Sequence, residues 1–162
     1  MRITWNELTV KFEQGSDDLL SDWRWLIGEA GKPILITSLG DAFVQESDGS
    51  VHWLNVEEGS YTKVATSPDD FQSQLKSSEN IESWFVPQLV GDILATGISA
   101  GDNQCFSFKK PPVLGGEYEP GNFEATDISV HFSILGQIHK KVKDLPDGTP
   151  ISNIDITDIR KE

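Results

Sequence analysis

Cysteine is almost missing from this chain. Cys105 stands alone, so no internal disulfide can form and nothing argues for an oxidising compartment. Long apolar runs are missing too: stretches such as Pro33-Ile34-Leu35-Ile36 fall far short of the roughly 20 residues a membrane span needs. The segment from Met1 to Glu7 lacks the apolar stretch and small-residue cleavage site of a signal peptide. The expectation is a cytoplasmic protein with no membrane partner. No GxSxG, HExxH or CxxC pattern occurs. Gly115-Gly116 lacks the lysine and hydroxyl residue of a phosphate loop, and Gly121 completes no dinucleotide fingerprint. No cofactor is therefore expected. Basic residues are scarce, 13 Lys and Arg against 26 Asp and Glu, which leaves a net charge of −13. Between Asp41 and Asp102, eleven acids face only Lys63 and Lys76. Such a surface repels nucleic acid and anionic membranes, attracts basic partners and aids solubility.

Aromatic residues, by contrast, are plentiful: five tryptophans and eight phenylalanines can furnish a substantial core. A chain of 162 residues fits one domain, burying roughly 68–70% of its unfolded surface. Residues 1–15 read as a lead-in arm, a peripheral strand or an extended segment, since Leu8, Val10 and Phe12 alternate. Ser16-Asp17-Asp18 offers a helix start, and Leu19, Leu20, Trp23, Leu26 and Ile27 follow at helical spacing until Gly28. Residues 33–65 read as a meander of about four antiparallel strands. Its second hairpin turns at Asp48-Gly49, a pair suited to a type I′ turn.

Ser67-Pro68-Asp69-Asp70 caps the next helix, with proline at the first helical position and acids in the first turn. Apolar spacing continues to residue 95, and Pro87 within it predicts a kink or a new helix whose first turn lies near Trp84. Gln104 to Phe108 reads as a strand with Phe106 and Phe108 on one face and Cys105 and Ser107 on the other. A loop rich in proline and glycine follows. Ile128, Phe132, Leu135, Ile138 and Val142 then step by four, three, three and four, which places all five on one helix face. Lysines close that helix near residue 143, at the negative end of its dipole. Residues 151–162 are expected to be a mobile tail. The architecture is α+β: a mostly antiparallel sheet packed by helices over 16–27, 68–95 and 128–143.

Candidate chemistry is thin. His131 and His139 lie about 12 Å apart along their helix, too far for one metal, and His52 alternates with core positions. His131 and the loop carboxylates Glu117 and Glu119 form an alternative cluster, for a small ligand or hydrolase-like chemistry. Its competing role is a structural hydrogen bond from helix to loop. Cys105, beside two phenylalanines, reads as a buried, inert thiol.

Several stretches together resemble a bacterial family: Trp23 to Gly28, Pro33 to Phe43, Asp48-Gly49 with His52-Trp53-Leu54, Trp84-Phe85 with Pro87, and above all Pro111 to Pro146. They look like the C-terminal domain of immunity proteins that neutralise DNA-degrading toxins of the type VI secretion system, a domain of unknown function in most members. The resemblance implies a non-enzymatic binding domain, monomeric or homodimeric, whose partner is a basic toxin nuclease domain. Charge alone nominates Glu57, Glu58, Asp69 and Asp70 as contacts on the acidic face. A structural or oligomerising domain is the third reading.

Overall fold

The computed structural model describes residues 3–13, 15 and 18–145. Within them the chain forms strands β1 (Lys32–Ile36), β2 (Ala42–Gln45), β3 (Val51–Asn55) and β4 (Ser60–Ala65), an antiparallel meander in the order β1-β2-β3-β4. A second, two-stranded antiparallel sheet pairs β5 (Gln104–Phe108) with β6 (Phe123–Asp127). The helices are α1 (Trp5–Leu8), α2 (Arg24–Ile27), α3 (Pro68–Gln74), α4 (Ser78–Phe85), α5 (Pro87–Ala95) and α6 (Ile128–Val142). The fold is α+β, as expected. The mobile tail expected at 151–162 lies outside the described residues, as do Ser16 and Asp17.

The four-stranded sheet is apolar on both faces because successive side chains of a strand point to opposite sides. Ile36, Ala42, Val44 and Leu54 join Leu20, Trp23 and Ile27 and the α6 residues Ile128, Phe132, Leu135 and Ile138 in one cluster. Phe43 and Val51 face the other way, against Phe71 of α3, Trp84 and Phe85 of α4 and Val90 and Ile93 of α5. Phe106, Phe108 and Phe123 extend this second cluster from the small sheet. Cys105, on the opposite face of β5, belongs to the first cluster and is fully buried. The facing read for β5 therefore holds.

The lead-in arm packs on the edge of the sheet. After α1, Val10 N–H donates to Ile36 C=O and Ser38 N–H to Leu8 C=O, both at 2.9 Å. β1 is thus only half an edge strand. A register shift between Pro33 and Leu35 leaves Ile34 bulged out and exposed, which breaks up an otherwise pairable edge.

Four local expectations need correction. The helix expected over 16–27 is shorter: a 3-10 turn, Ser21–Trp23, leads into the single turn of α2. The Asp18 carboxylate accepts Leu20 N–H and pairs with Arg24, whose guanidinium also reaches the carbonyls of Gly28 and Gly31, so side chains order this segment. The turn at Asp48-Gly49 is not type I′. Gly49 has positive φ and Asp48 does not, and Gly49 N–H donates to Glu46 C=O, the three-residue hairpin loop in which only the last position is left-handed. The 68–95 segment divides into three helices, and the last begins at Pro87 and not near Trp84. Ser77 caps α4, and Val86 then takes a left-handed conformation, φ 45, before Pro87 opens α5. A β-branched residue there is strained. Finally, β6 is a strand where the sequence predicts loop, because only Phe123 of its five residues is buried and alternation is weak.

Gly136 sets how closely α6 approaches the Ser21–Trp23 turn. A Cβ there would sit 2.5 Å from the Asp22 carbonyl oxygen. Gly136→Ala is therefore expected to lower unfolding free energy by about 1–3 kcal/mol through overpacking. Gly121→Ala, where a Cβ meets nothing within 4 Å, should stay within about 0.5 kcal/mol. Urea denaturation of both variants checks this.

Candidate functional site

The turn between β3 and β4, the 111–122 loop, α2 and the C-terminal end of α6 surround an open cleft of about 610 Å³. Glu57, Glu58 and Gly59 form one side. Pro112, Val113 and Tyr118 of the loop form a second, Trp25 and Leu26 a third, and His139, Val142 and Lys143 close it. Each wall is placed by a local rule. Asn55 Oδ1 accepts the N–H groups of Glu57 and Glu58, which shapes the turn, and Gly59 follows with φ +70. The Gly59 backbone lies directly under the His139 ring, where a Cβ would meet Nδ1 at 2.5 Å.

Asn122 organises the loop. Its amide donates to the carbonyls of Lys110 and Glu117, and its Oδ1 accepts Lys110 N–H. Tyr118 then reaches across the cleft, donating its hydroxyl to Glu57 Oε2 at 2.7 Å. Burial raises the Glu57 carboxyl, opposed by the Tyr118 bond and reinforced by Glu58. Burial and the bond to Glu57 also hold the Tyr118 phenol well above its ordinary value.

Asp41 is buried nearby. Its Oδ1 accepts Val56 N–H at 3.1 Å and its Oδ2 accepts the Trp53 indole N–H at 3.2 Å. Burial, then the charge of Glu57, raises its carboxyl well above the usual range despite these bonds. The acids that line the cleft are Glu57 and Glu58, while Asp41 lies behind them with burial favouring its neutral form.

His131 does not meet Glu117 or Glu119. Its Nδ1 lies 2.8 Å from Ser107 Oγ and its Nε2 2.8 Å from the Gly40 carbonyl oxygen. Both ring nitrogens are spent inside the protein, while Glu117 and Glu119 are exposed. The hydrogen bond therefore ties the helix to β5 and to the β1–β2 turn, with no bond to the loop. Burial drives the imidazole down to about 4. Cys105 is a free, buried thiol, pushed far up by burial.

The four acids nominated from charge are not brought together. Glu57 and Glu58 precede β4, and Asp69 and Asp70 follow it, so the two pairs sit about 20 Å apart at opposite ends of a six-residue strand. Asp70 is also occupied, accepting Thr66 N–H at 2.9 Å, whereas Asp69 is exposed. Sequence reading missed Trp25, Tyr118 and His139 as one constellation. They come from three segments, and no local spacing signals their convergence. Among the described residues no group of three His, Cys, Asp or Glu is placed to hold a metal, and no described helix is long and apolar enough to cross a membrane.

Residues 65–139 match the family described as T6SS immunity protein Tdi1, C-terminal. This is the family the sequence resembles. The matched stretch runs from the last residue of β4 through α3, α4, α5, the β5–β6 hairpin and its loop to His139 on α6. It supplies the loop wall of the cleft and His139, while Trp25 and the Glu57-Glu58 turn come from outside it. No curated protein matches the chain.

His131 gives the fold a pH dependence. Its folded value, about 4, lies below the ordinary 6.5, so between those values the unfolded chain binds a proton that the folded one does not. Its stabilisation is complete above pH 6.5 and is lost as pH falls toward 4, on the order of 3 kcal/mol. The raised carboxyls of Asp41 and Glu57 act in the opposite sense over the acidic range, so the contribution is read as a difference. Urea unfolding from pH 7.5 to 4 should show a flatter profile for His131→Asn than for the native chain.

Proposed function

We propose that this protein is an immunity protein that neutralises a secreted toxin by binding it and catalyses no reaction. The match of residues 65–139 to the immunity family carries this reading. Charge supports a more specific one, that the target is a basic, DNA-degrading domain neutralised in the cytoplasm. The layer formed by α3, α4 and α5 exposes Asp69, Glu79, Glu82 and Asp92, with Lys76 its single base. The Glu57-Glu58 turn is a second acidic patch. A cleft that binds DNA must present cations to phosphates, and carboxylates arrayed on an inhibitor meet those same cations. Complementarity of this kind speeds encounter and excludes DNA by occupation.

The alternative built on His131 with Glu117 and Glu119 loses its geometric basis, since both imidazole nitrogens are engaged with Ser107 and Gly40. An oligomerising role finds no specific support.

Co-expression with a DNA-degrading secreted effector of the same host should restore growth, and calorimetry should give an affinity that weakens steeply with added salt. Two charge reversals separate the patches: Glu57→Lys with Glu58→Lys, and Asp69→Lys with Glu79→Lys. The patch that touches the toxin is expected to lose at least about tenfold in affinity, roughly 1.4 kcal/mol. Full protection by both double variants, or binding indifferent to salt, would rule out the charge-guided mechanism. Absence of binding to every such effector would rule out immunity itself.

A further inference from the structure

We infer that the cleft between Trp25, the Glu57-Glu58-Gly59 turn and His139 is a receptor for one arginine side chain of the protein partner. The inference rests on the immunity reading only for the identity of that partner; the recognition chemistry is built into the cleft itself.

Three independent features converge. The first is charge: Glu57 and Glu58 both line the cleft. The Tyr118 hydroxyl takes Glu57 Oε2, which fixes that carboxylate in place.

The second is an unspent acceptor. His139 is 6% exposed, lines the cleft, and its Nε2 has no hydrogen-bond partner among the described residues. The other ring nitrogen faces the β3–β4 turn, where the carbonyls of Val56 and Glu57 favour a proton on the ring. Burial favours the neutral ring, and in that form a proton on Nδ1 leaves the lone pair on Nε2. A buried acceptor without a donor is costly. Nε2 is closed to water, so an entering group with several N–H donors and a positive charge meets the carboxylates first and gains this acceptor by displacing the side chains that cover it.

The third is an aromatic wall that already holds a cation. Lys143 Nζ stands 5.7 Å from the centre of the Trp25 ring, while pairing with Asp144 at the rim. Trp25 is itself stacked on the fully buried Trp23, so the wall is rigid. A guanidinium is planar, carries five donors and stacks on indole, which suits this combination better than an ammonium. It would displace Lys143 from the ring.

The test uses N-acetyl-arginine amide as the probe, titrated into the ¹⁵N-labelled full chain, with N-acetyl-glutamine amide as the neutral control. Saturable shifts are expected at the Trp25 indole N–H and the Gly59 amide with the arginine probe alone. Glu57→Gln with Glu58→Gln should weaken binding at least about tenfold. His139→Phe, which keeps a ring beside Trp23 but removes the acceptor, should weaken it by a smaller factor. Asp69→Asn with Glu79→Gln should leave it unchanged. No saturable shift, an equal response to the glutamine probe, or undiminished binding by the Glu57/Glu58 variant would each overturn the inference. Toxin affinity of that same variant, if undiminished while arginine binding is lost, would overturn the assignment of the occupant to the toxin. Arginine binding by a chain that protects against no toxin would support the receptor and count against immunity alone.

Discussion

A four-stranded sheet that is apolar on both faces must be covered twice, and most of this chain is arranged to do that. Phe43 shows the constraint. Its neighbours Ala42 and Val44 turn into one core while Phe43 turns into the other, and all three are fully buried. Burying a side chain of that size contributes about 2–3 kcal/mol, so leaving either face open is not an option. One cover is α6 with the Ser21–Trp23 turn. The other is the α3–α5 layer, with the phenylalanines of the small sheet completing it.

Polar groups then fix how those covers sit. His131 joins α6 to Ser107 of β5 and to the Gly40 carbonyl at the β1–β2 turn. Ser133 on the same helix donates to Asp22 at 2.6 Å, holding the turn that Gly136 lets in close. Asp41 joins the β1–β2 turn to Trp53 and Val56. A buried imidazole and a buried carboxylate are costly to desolvate, and each is retained where it links separate elements at a single point. The acidic cleft lies where these links meet the surface, between the sheet and the end of α6. Its acidic character comes from Glu57, which is held by Tyr118, and from Glu58 beside it.

His131 is bonded on both sides, and burial raises the Cys105 thiol and the Tyr118 phenol. The exposed acids of the α3–α5 layer, among them Asp69, Glu79, Glu82 and Asp92, are of the kind used in electrostatic docking. The strained left-handed Val86 between α4 and α5 keeps two short helices at an angle that a continuous helix would not allow.

The meander, the cap at Ser67, the facing of β5 and the span of α6 were all legible in the sequence. Each is set by local rules: alternation of two, helical steps of three and four, and a serine before proline. The family resemblance was legible for the same reason, since it rests on residues that build the fold. Elements governed by distant partners were not legible. The 16–27 segment is tied by Asp18 and Arg24, β6 pairs with β5 with Phe123 opposite Phe108, and the partly buried Val86 packs against the second core. Tertiary structure alone decided that His131 bonds inward and that Trp25, Tyr118 and His139 share a cleft. Sequence spacing encodes which face of an element a side chain occupies, but convergence between elements depends on packing, and packing is settled only when both faces of the sheet are closed.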